Sequence, residues 1–239
     1  MSDDLLKRTA VVIPFRDRGA DPLRQSNAQC VMAHWAGFPG KVHLVSDGRT
    51  GDAQFNRSAA YNRGIDRSGA AEVIVFAEAD MMIGAPQITR AVKLAAAAPG
   101  IVVPFTEYRY LSPADSHHVR IRRRRVEDCI PERTITGGRS IGAINVASRG
   151  TLVTVGQWDE KFEGNWYDDD AMKIAFEICA GPTRWVTGPA FHLYHLPGWT
   201  GDHLTDADRA ATEANKARLE LYRHAETVDR VRELTTGAA

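Results

Sequence analysis

Apolar residues in this chain gather in short runs rather than alternating with polar ones. Ala10-Val11-Val12-Ile13-Pro14-Phe15, Val73-Ile74-Val75-Phe76 and Ile101-Val102-Val103 are continuous, and Val42-His43-Leu44-Val45 nearly so. Runs of this length, closed by turn residues such as Ser46-Asp47-Gly48, predict strands buried on both faces. Between them lie stretches with helical spacing: Gln25 to Trp35, Asn56 to Ile65 with small residues on one face, and Pro86 to Ala97. Strand and helix at these intervals predict right-handed βαβ crossovers and a mostly parallel α/β sheet flanked by helices. In such sheets ligands bind beyond the carboxyl ends of the strands.

The pattern breaks between about Ser112 and Gly138, where Arg120, Arg122, Arg123, Arg124 and Arg125 crowd together. It resumes with a helix over Asp169 to Ala180. Thr205 is then placed to cap a long polar helix reaching about Glu233. There is no internal repeat and no linker, so residues 1–203 read as one domain and 204–239 as a helical extension packed on it.

Composition narrows the field without naming a function. The chain has 239 residues, 44% apolar and 25% charged, with a formal net charge of zero. That removes any global pull toward nucleic acid or anionic membrane and leaves only local patches. Cys30, Cys129 and Cys179 are scattered and lack metal-binding spacing. The N-terminus has no apolar signal region, and no stretch approaches the roughly 18 apolar residues of a membrane span. These features together point to a reduced, cytoplasmic, soluble protein.

Candidate chemistry falls at the strand ends. Glu78-Ala79-Asp80 sets two carboxylates at alternate positions where a strand emerges, so both can face one ion. His192 and His195 suit a shared metal only if the chain turns between them, which Pro189 and Pro197-Gly198 make reasonable. Carboxylate and imidazole together suit Mn²⁺, or less well Mg²⁺. Asp168-Asp169-Asp170 precedes a helix, where acidic residues also stabilise the macrodipole by roughly 0.3–1 kcal/mol each. One of the three is a candidate to take a proton from an attacking hydroxyl, with Trp166 and Tyr167 as a wall for a sugar ring. Arg16 and Arg18, just past the first strand, offer forked donors for phosphate or a base edge.

In order, four segments resemble the GT-A glycosyltransferases, most nearly the inverting β-1,4-galactosyltransferase type. Val12-Ile13-Pro14-Phe15-Arg16-Asp17-Arg18 is similar to the family's first strand and PFRxR turn. Phe55-Asn56-Arg57-Ser58-Ala59-Ala60-Tyr61-Asn62-Arg63-Gly64 resembles its FNRxxxxNxG helix. Phe76-Ala77-Glu78-Ala79-Asp80 occupies the place of its DxD metal motif. Val155-Gly156-Gln157-Trp158-Asp159-Glu160-Lys161-Phe162, then Gly164 to Asp170, resembles its acceptor and catalytic block. The similarity spans roughly residues 10–200. Glu78 stands for the motif's first aspartate, and Asn165 and Asp168 for the usual glycine and glutamate. The segment from Ser112 to Arg139 is unlike the family.

The resemblance implies a GT-A fold and an inverting, metal-dependent transfer of a sugar from a nucleotide-diphosphate donor, UDP first. It implies metal ligation by Asp80, His192 and His195. Pro14, Phe15, Arg16, Arg18, Asp47, Phe55, Arg57 and Glu78, with Asp80, would line the donor. Asp169 aligns with the catalytic aspartate, with Asp168 next and Asp170 last. A sugar-1-phosphate nucleotidyltransferase would want a glycine-rich loop after the first strand, which Pro14-Phe15-Arg16 is not. An inactive binding module of the same fold, and a transferase acting on modified nucleic acid through Arg120–Arg125, stay open as alternatives.

Overall fold

The structure, a computed structural model, describes residues 2–19, 21–137, 140–198 and 200–237. Gly138 and Arg139, which close the segment expected to differ from the family, lie outside these, as do both ends of the expected domains, Met1 and residues 238–239.

The elements follow in the order α1 (Ser2–Lys7), β1 (Thr9–Pro14), α2 (Pro22–Trp35), β2 (Lys41–Val45), α3 (Arg57–Arg67), β3 (Val73–Ala77), β4 (Met81–Ile83) and α4 (Ala85–Ala97). Then come β5 (Val102–Val103), β6 (Glu107–Tyr110), α5 (Pro113–Arg120), β7 (Arg133–Thr136), β8 (Ile144–Ser148) and α6 (Arg149–Val155). The chain closes with α7 (Asp168–Ala180), β9 (Arg184–Trp185), β10 (Pro189–His192), α8 (Asp206–Arg223) and α9 (Val228–Thr236).

The main sheet has the order β2-β1-β3-β8-β5-β9. Its β1–β2, β1–β3 and β5–β9 pairs are parallel, and β8 runs against both neighbours. The apolar runs fill β1 and β3, which are buried throughout. This is the mostly parallel, helix-flanked sheet that the strand and helix spacing predicts. Gly64 of α3 shows why a glycine is needed there: a Cβ would run into the side chain of Val12 on β1. Beneath the strand ends, Tyr61, Phe76, Trp158 and Phe176 form a buried aromatic chain with ring centroids 4.8 to 5.6 Å apart. It ties α3, β3 and α7 together under the polar rim.

A second sheet, β4-β10-β6-β7, was not legible from hydrophobic runs because its strands are short and all but β4 carry polar residues. It begins within the turn after Asp80. There β4 pairs antiparallel with β10, placing Met81 opposite His192.

Two expectations are corrected. The segment after Ser112 is not simply a break. Pro113 opens α5, and the Ser112 hydroxyl accepts the Asp115 N–H as an N-cap. The C-terminal helix ends at Arg223 rather than running to about Glu233, and Thr227 caps a separate α9. Tyr222 and Val231 are both fully buried. Nine residues apart, they would sit on opposite faces of one continuous helix, so burying both requires the break. α8 packs along α7, and α9 against α6 and α7.

Candidate active site

The second sheet explains how residues more than a hundred apart converge. β10 ends at His192, beside the start of β4, and the Leu193 N–H then donates to the Asp80 carbonyl at 2.8 Å. The chain turns, and His195 comes back to the same carboxylate. His195 Nε2 lies 3.1 Å from Asp80 Oδ2, and His192 Nε2 lies 3.9 Å from Oδ1. One ligand atom from each residue falls within 4.8 Å of the others.

These donors fit a divalent cation. Asp80 Oδ1 is buried and has no hydrogen-bond donor among the described residues. His195 Nδ1 lies 2.7 Å from the Leu196 carbonyl, so it must carry the proton. A neutral ring then turns its lone pair toward Asp80 Oδ2, an arrangement that calls for a cation between them or a second proton on the ring. Burial drives His192 down to about 4, against the pull of Asp80, so its imidazole is neutral and its lone pair free. Burial also raises the cost of the Asp80 charge. His192, protonated at the acid pH where this carboxyl titrates, outweighs that together with His195 and the Arg24 guanidinium and holds the carboxyl well below its usual range. Arg24, a cation 4.0 Å from Asp80, carries no sequence signal that marks it for this site.

Glu78 does not share this cluster. β3 ends at Ala77 and the chain turns at Ala79-Asp80, so the strand alternation that would aim both carboxylates at one ion is lost. Glu78 pairs instead with Arg57. That arginine, the first residue of α3, is a hub. Its Nε and Nη2 fork onto both oxygens of Asp168 at 2.6 to 2.9 Å, and Nη2 lies 3.2 Å from Asp169 Oδ2.

The three aspartates therefore separate. Asp168 is buried and held by the guanidinium, and Asp170 is exposed in the first turn of α7, suited to the helix dipole. Asp169 is pushed up to about 7: burial is the main cause, the Arg57 charge opposes it, and the charges of Asp168 and Asp170 add to the rise. Gly142 makes room for it, since a Cβ there would collide with the Asp169 carboxylate.

The backbone entering α7 is strained. Trp166 and Tyr167 have φ of 74° and 69°, left-handed values that cost a non-glycine residue roughly 1–2 kcal/mol each. Trp166 projects outward, 48% exposed. Across the site, Tyr108 and Tyr110 of β6 stack 4.6 Å apart, and Tyr110 lies 5.1 Å from His192. Those tyrosines were missed because β6 is a half-buried strand with no apolar run.

Elsewhere the expected donor residues are tied into the protein. Pro14 is buried at the end of β1, and the Phe15 N–H donates to Val45. Arg16 donates to Asp47 and to the carbonyls of Gly51 and Ala53. Asp47 also accepts the N–H groups of Arg49 and Asn56. Arg18 reaches Gln54, Asp52 and Asp208. Phe55 is half-buried, and its carbonyl accepts the Gly164 N–H at 2.8 Å, joining this turn to the block that resembles the family's acceptor and catalytic segment. Asn62 locks that block further by exchanging two hydrogen bonds with the Trp158 backbone.

The arginine stretch stands apart, lining a cavity of about 1180 Å³ between α2 and the segment after α5. Arg120, Arg124 and Arg125 engage Asn27, Asp115 and Glu127, while Arg122 and Arg123 have no charged partner among the described residues.

No family model matches the chain, and no curated protein matches it. Solved structures do, at the level of fold. A mutant of Drosophila β1,4-galactosyltransferase 7, in complex with manganese, UDP-Gal and xylobiose, is 14% identical with a TM-score of 0.55. That match covers 92% of this chain and 82% of the other. Glucosyl-3-phosphoglycerate synthase from Mycobacterium tuberculosis, with Mn²⁺, UDP and glucosyl-3-phosphoglycerate, is 12% identical with a TM-score of 0.51, over 93% and 84%. The chain has the GT-A fold that these glycosyltransferases share. Among the described residues no helix is long and apolar enough to cross a membrane.

Proposed function

We propose that this protein is a metal-dependent glycosyltransferase that moves a sugar from a UDP-sugar to an acceptor hydroxyl with inversion. The observation that carries this is the Asp80, His192 and His195 cluster, with one buried carboxylate oxygen lacking any donor among the described residues. These three residues would hold Mn²⁺, or Mg²⁺. When bound, that ion supplies Lewis-acid stabilisation of the charge growing on the leaving diphosphate. Arg24 stands where it adds positive charge to the same side.

Asp169 takes the acceptor's proton. Its carboxyl, pushed up to about 7, is matched to that task at neutral pH. Asp168 and Glu78 hold Arg57, which in turn fixes Asp169. Trp166 and Tyr167 wall the acceptor sugar. Pro14, Phe15, Arg16, Arg18, Asp47 and Phe55 shape the donor turn by the bonds they make to one another's loops. A single displacement with a base on the acceptor side gives inversion, and Asp168 is held by Arg57 rather than free to attack the sugar. The cytoplasm as its location is part of the same proposal, supported by three free thiols. A modified nucleic acid as acceptor is the second reading, favoured by Arg122 and Arg123, which line the cavity and have no charged partner among the described residues. Salt-dependent binding of DNA or RNA is its test.

Calorimetry tests the main reading. UDP is expected to bind in Mn²⁺ and not in chelator, and Asp80→Ala to weaken the Mn²⁺-dependent binding by about 100-fold or more. Binding of UDP that ignores both metal and Asp80 would sink it.

A further inference from the structure

Helix α8 lies beyond the region that resembles the family, and its composition is polar. Yet it carries a stripe at i, i+3, i+7, i+11 and i+14: Asp208, Ala211, Asn215, Leu219 and Tyr222. Asp208 pairs with Arg18 of the donor turn at 3.1 Å. Ala211 faces Gly164. Asn215, only 2% exposed, meets the catalytic loop itself.

The Asn215 side-chain amide is fully used. Its Nδ2 lies 2.7, 3.1 and 3.2 Å from the carbonyls of Glu163, Asn165 and Trp166, and its Oδ1 accepts the Glu163 N–H at 3.2 Å. Three of the five residues from 163 to 167 are left-handed: Gly164, Trp166 and Tyr167. Such a turn swings successive carbonyls inward, where no helix or strand can satisfy them, and an unmet buried carbonyl is costly. One amide with two N–H groups and one acceptor oxygen meets this need, and it reaches the loop from a separate element.

We propose that Asn215 is the positioning residue of the catalytic loop. It holds the left-handed turn that projects Trp166 outward and starts α7 where Asp169 faces its base site. The C-terminal extension is therefore part of the site's framework, gripping the donor turn at Asp208 and the acceptor loop at Asn215. The catalytic consequence rests on the transferase reading. The loop's conformation does not.

Hydrogen exchange on the full chain tests the conformation, and Mn²⁺-dependent cleavage of UDP-glucose and UDP-galactose tests the consequence. Asn215→Asp keeps the shape and removes both N–H donors, and Asn215→Ala repeats the test without adding charge. Thr235→Ala, which cuts a buried bond from α9 to the Val155 carbonyl, is the control for general loosening. Both Asn215 variants are expected to speed exchange selectively over residues 163–172 and to keep Mn²⁺–UDP affinity. Turnover should fall about tenfold to hundredfold, as misplacement of a reacting group by an ångström does. Unchanged exchange over 163–172, or an equal rise there in Thr235→Ala, would overturn the proposal. So would faster exchange with full turnover, which would leave Asn215 a merely structural clamp. If the wild-type protein cleaves neither donor, the transferase reading fails for these sugars, and the exchange pattern alone decides the clamp.

Discussion

Asp80, buried, and Asp169, half-buried, are carboxylates at the rim of one sheet, yet their surroundings push them in opposite directions. Asp80 faces two imidazoles and Arg24, and its carboxyl is held well below the usual range. Asp169 sits beside two other carboxylates and an arginine that Asp168 and Glu78 already occupy, and it rises to about 7. Burial alone would raise both. The difference comes from which counter-charges remain available. Asp80 stays ionised, with an oxygen waiting for a cation. Asp169 can take up and release a proton near neutrality. Two carboxylates whose environments drive them apart are suited to the separate roles of ligand and base that the proposed function gives them.

The hardest blow to this contrast is Asp169→Asn. It keeps the shape and removes the proton acceptor, so turnover should fall by about 10³-fold, within the usual reach of general-base loss. Mn²⁺-dependent UDP binding should persist. The sign of the stability change is opposite. Asp169's folded value is raised above its ordinary 3.8, so its contribution to stability is fully present below about 4 and is lost as pH rises through about 7. The asparagine variant lacks that loss, and its Tm should exceed wild type's at pH 8 by more than at pH 5. A variant that loses both turnover and UDP binding would show that Asp169 serves the donor side, and the division would collapse.

Arg57 keeps the two carboxylates distinct, and removing it should cost stability first. Asp168 is 4% exposed and takes the Nε and Nη2 edge of the guanidinium. Arg57→Ala leaves that charge buried without a partner, a change that typically costs about 3–5 kcal/mol. For a chain of this size each kcal/mol lowers Tm by about 2–4 °C. Thermal melting of the variant, beside Arg57→Ala with Asp168→Asn, checks the cause, since the double change should recover part of the loss. No recovery would mean that Arg57 acts through Glu78 or Asp169 instead.

How far the chain could be read in advance divides along the same line. The Asp80 side was legible: continuous apolar runs marked β1 and β3, and the two histidines in a Pro/Gly-rich segment implied a turn. The reason they meet Asp80 was not, because β4 and β10 are short strands whose pairing is a tertiary event. On the Asp169 side, three adjacent aspartates are alike in residue type and position, and only the family resemblance ranks Asp169 first. In the structure Arg57, arriving from α3, distinguishes them. Asn215 was invisible for a related reason. The helix was expected to pack on the domain, but its polar composition did not show that α8 buries Asn215 against backbone carbonyls. The break after Arg223 followed from burying both Tyr222 and Val231, whereas the periodic sequence alone suggested one helix.

The smallest expected effect sharpens the comparison most. Glu78 stands two residues before Asp80 but belongs electrostatically to the other side, through its pair with Arg57. Glu78→Gln removes a negative charge that competes for the guanidinium, so Arg57 gives more of its charge to Asp168 and Asp169. A stronger positive neighbour lowers a carboxyl's pKa. The acid limb of the pH–rate profile should therefore move to lower pH by less than about one unit, since the change acts through an intermediary. The plateau rate and the Mn²⁺–UDP affinity should stay near those of wild type. If Glu78 instead reaches the donor's ribose, the same variant would leave the acid limb in place and raise the KM for the UDP-sugar. One pH profile at saturating donor, with one KM measured on the plateau, separates a Glu78 that tunes the base from one that grips the donor.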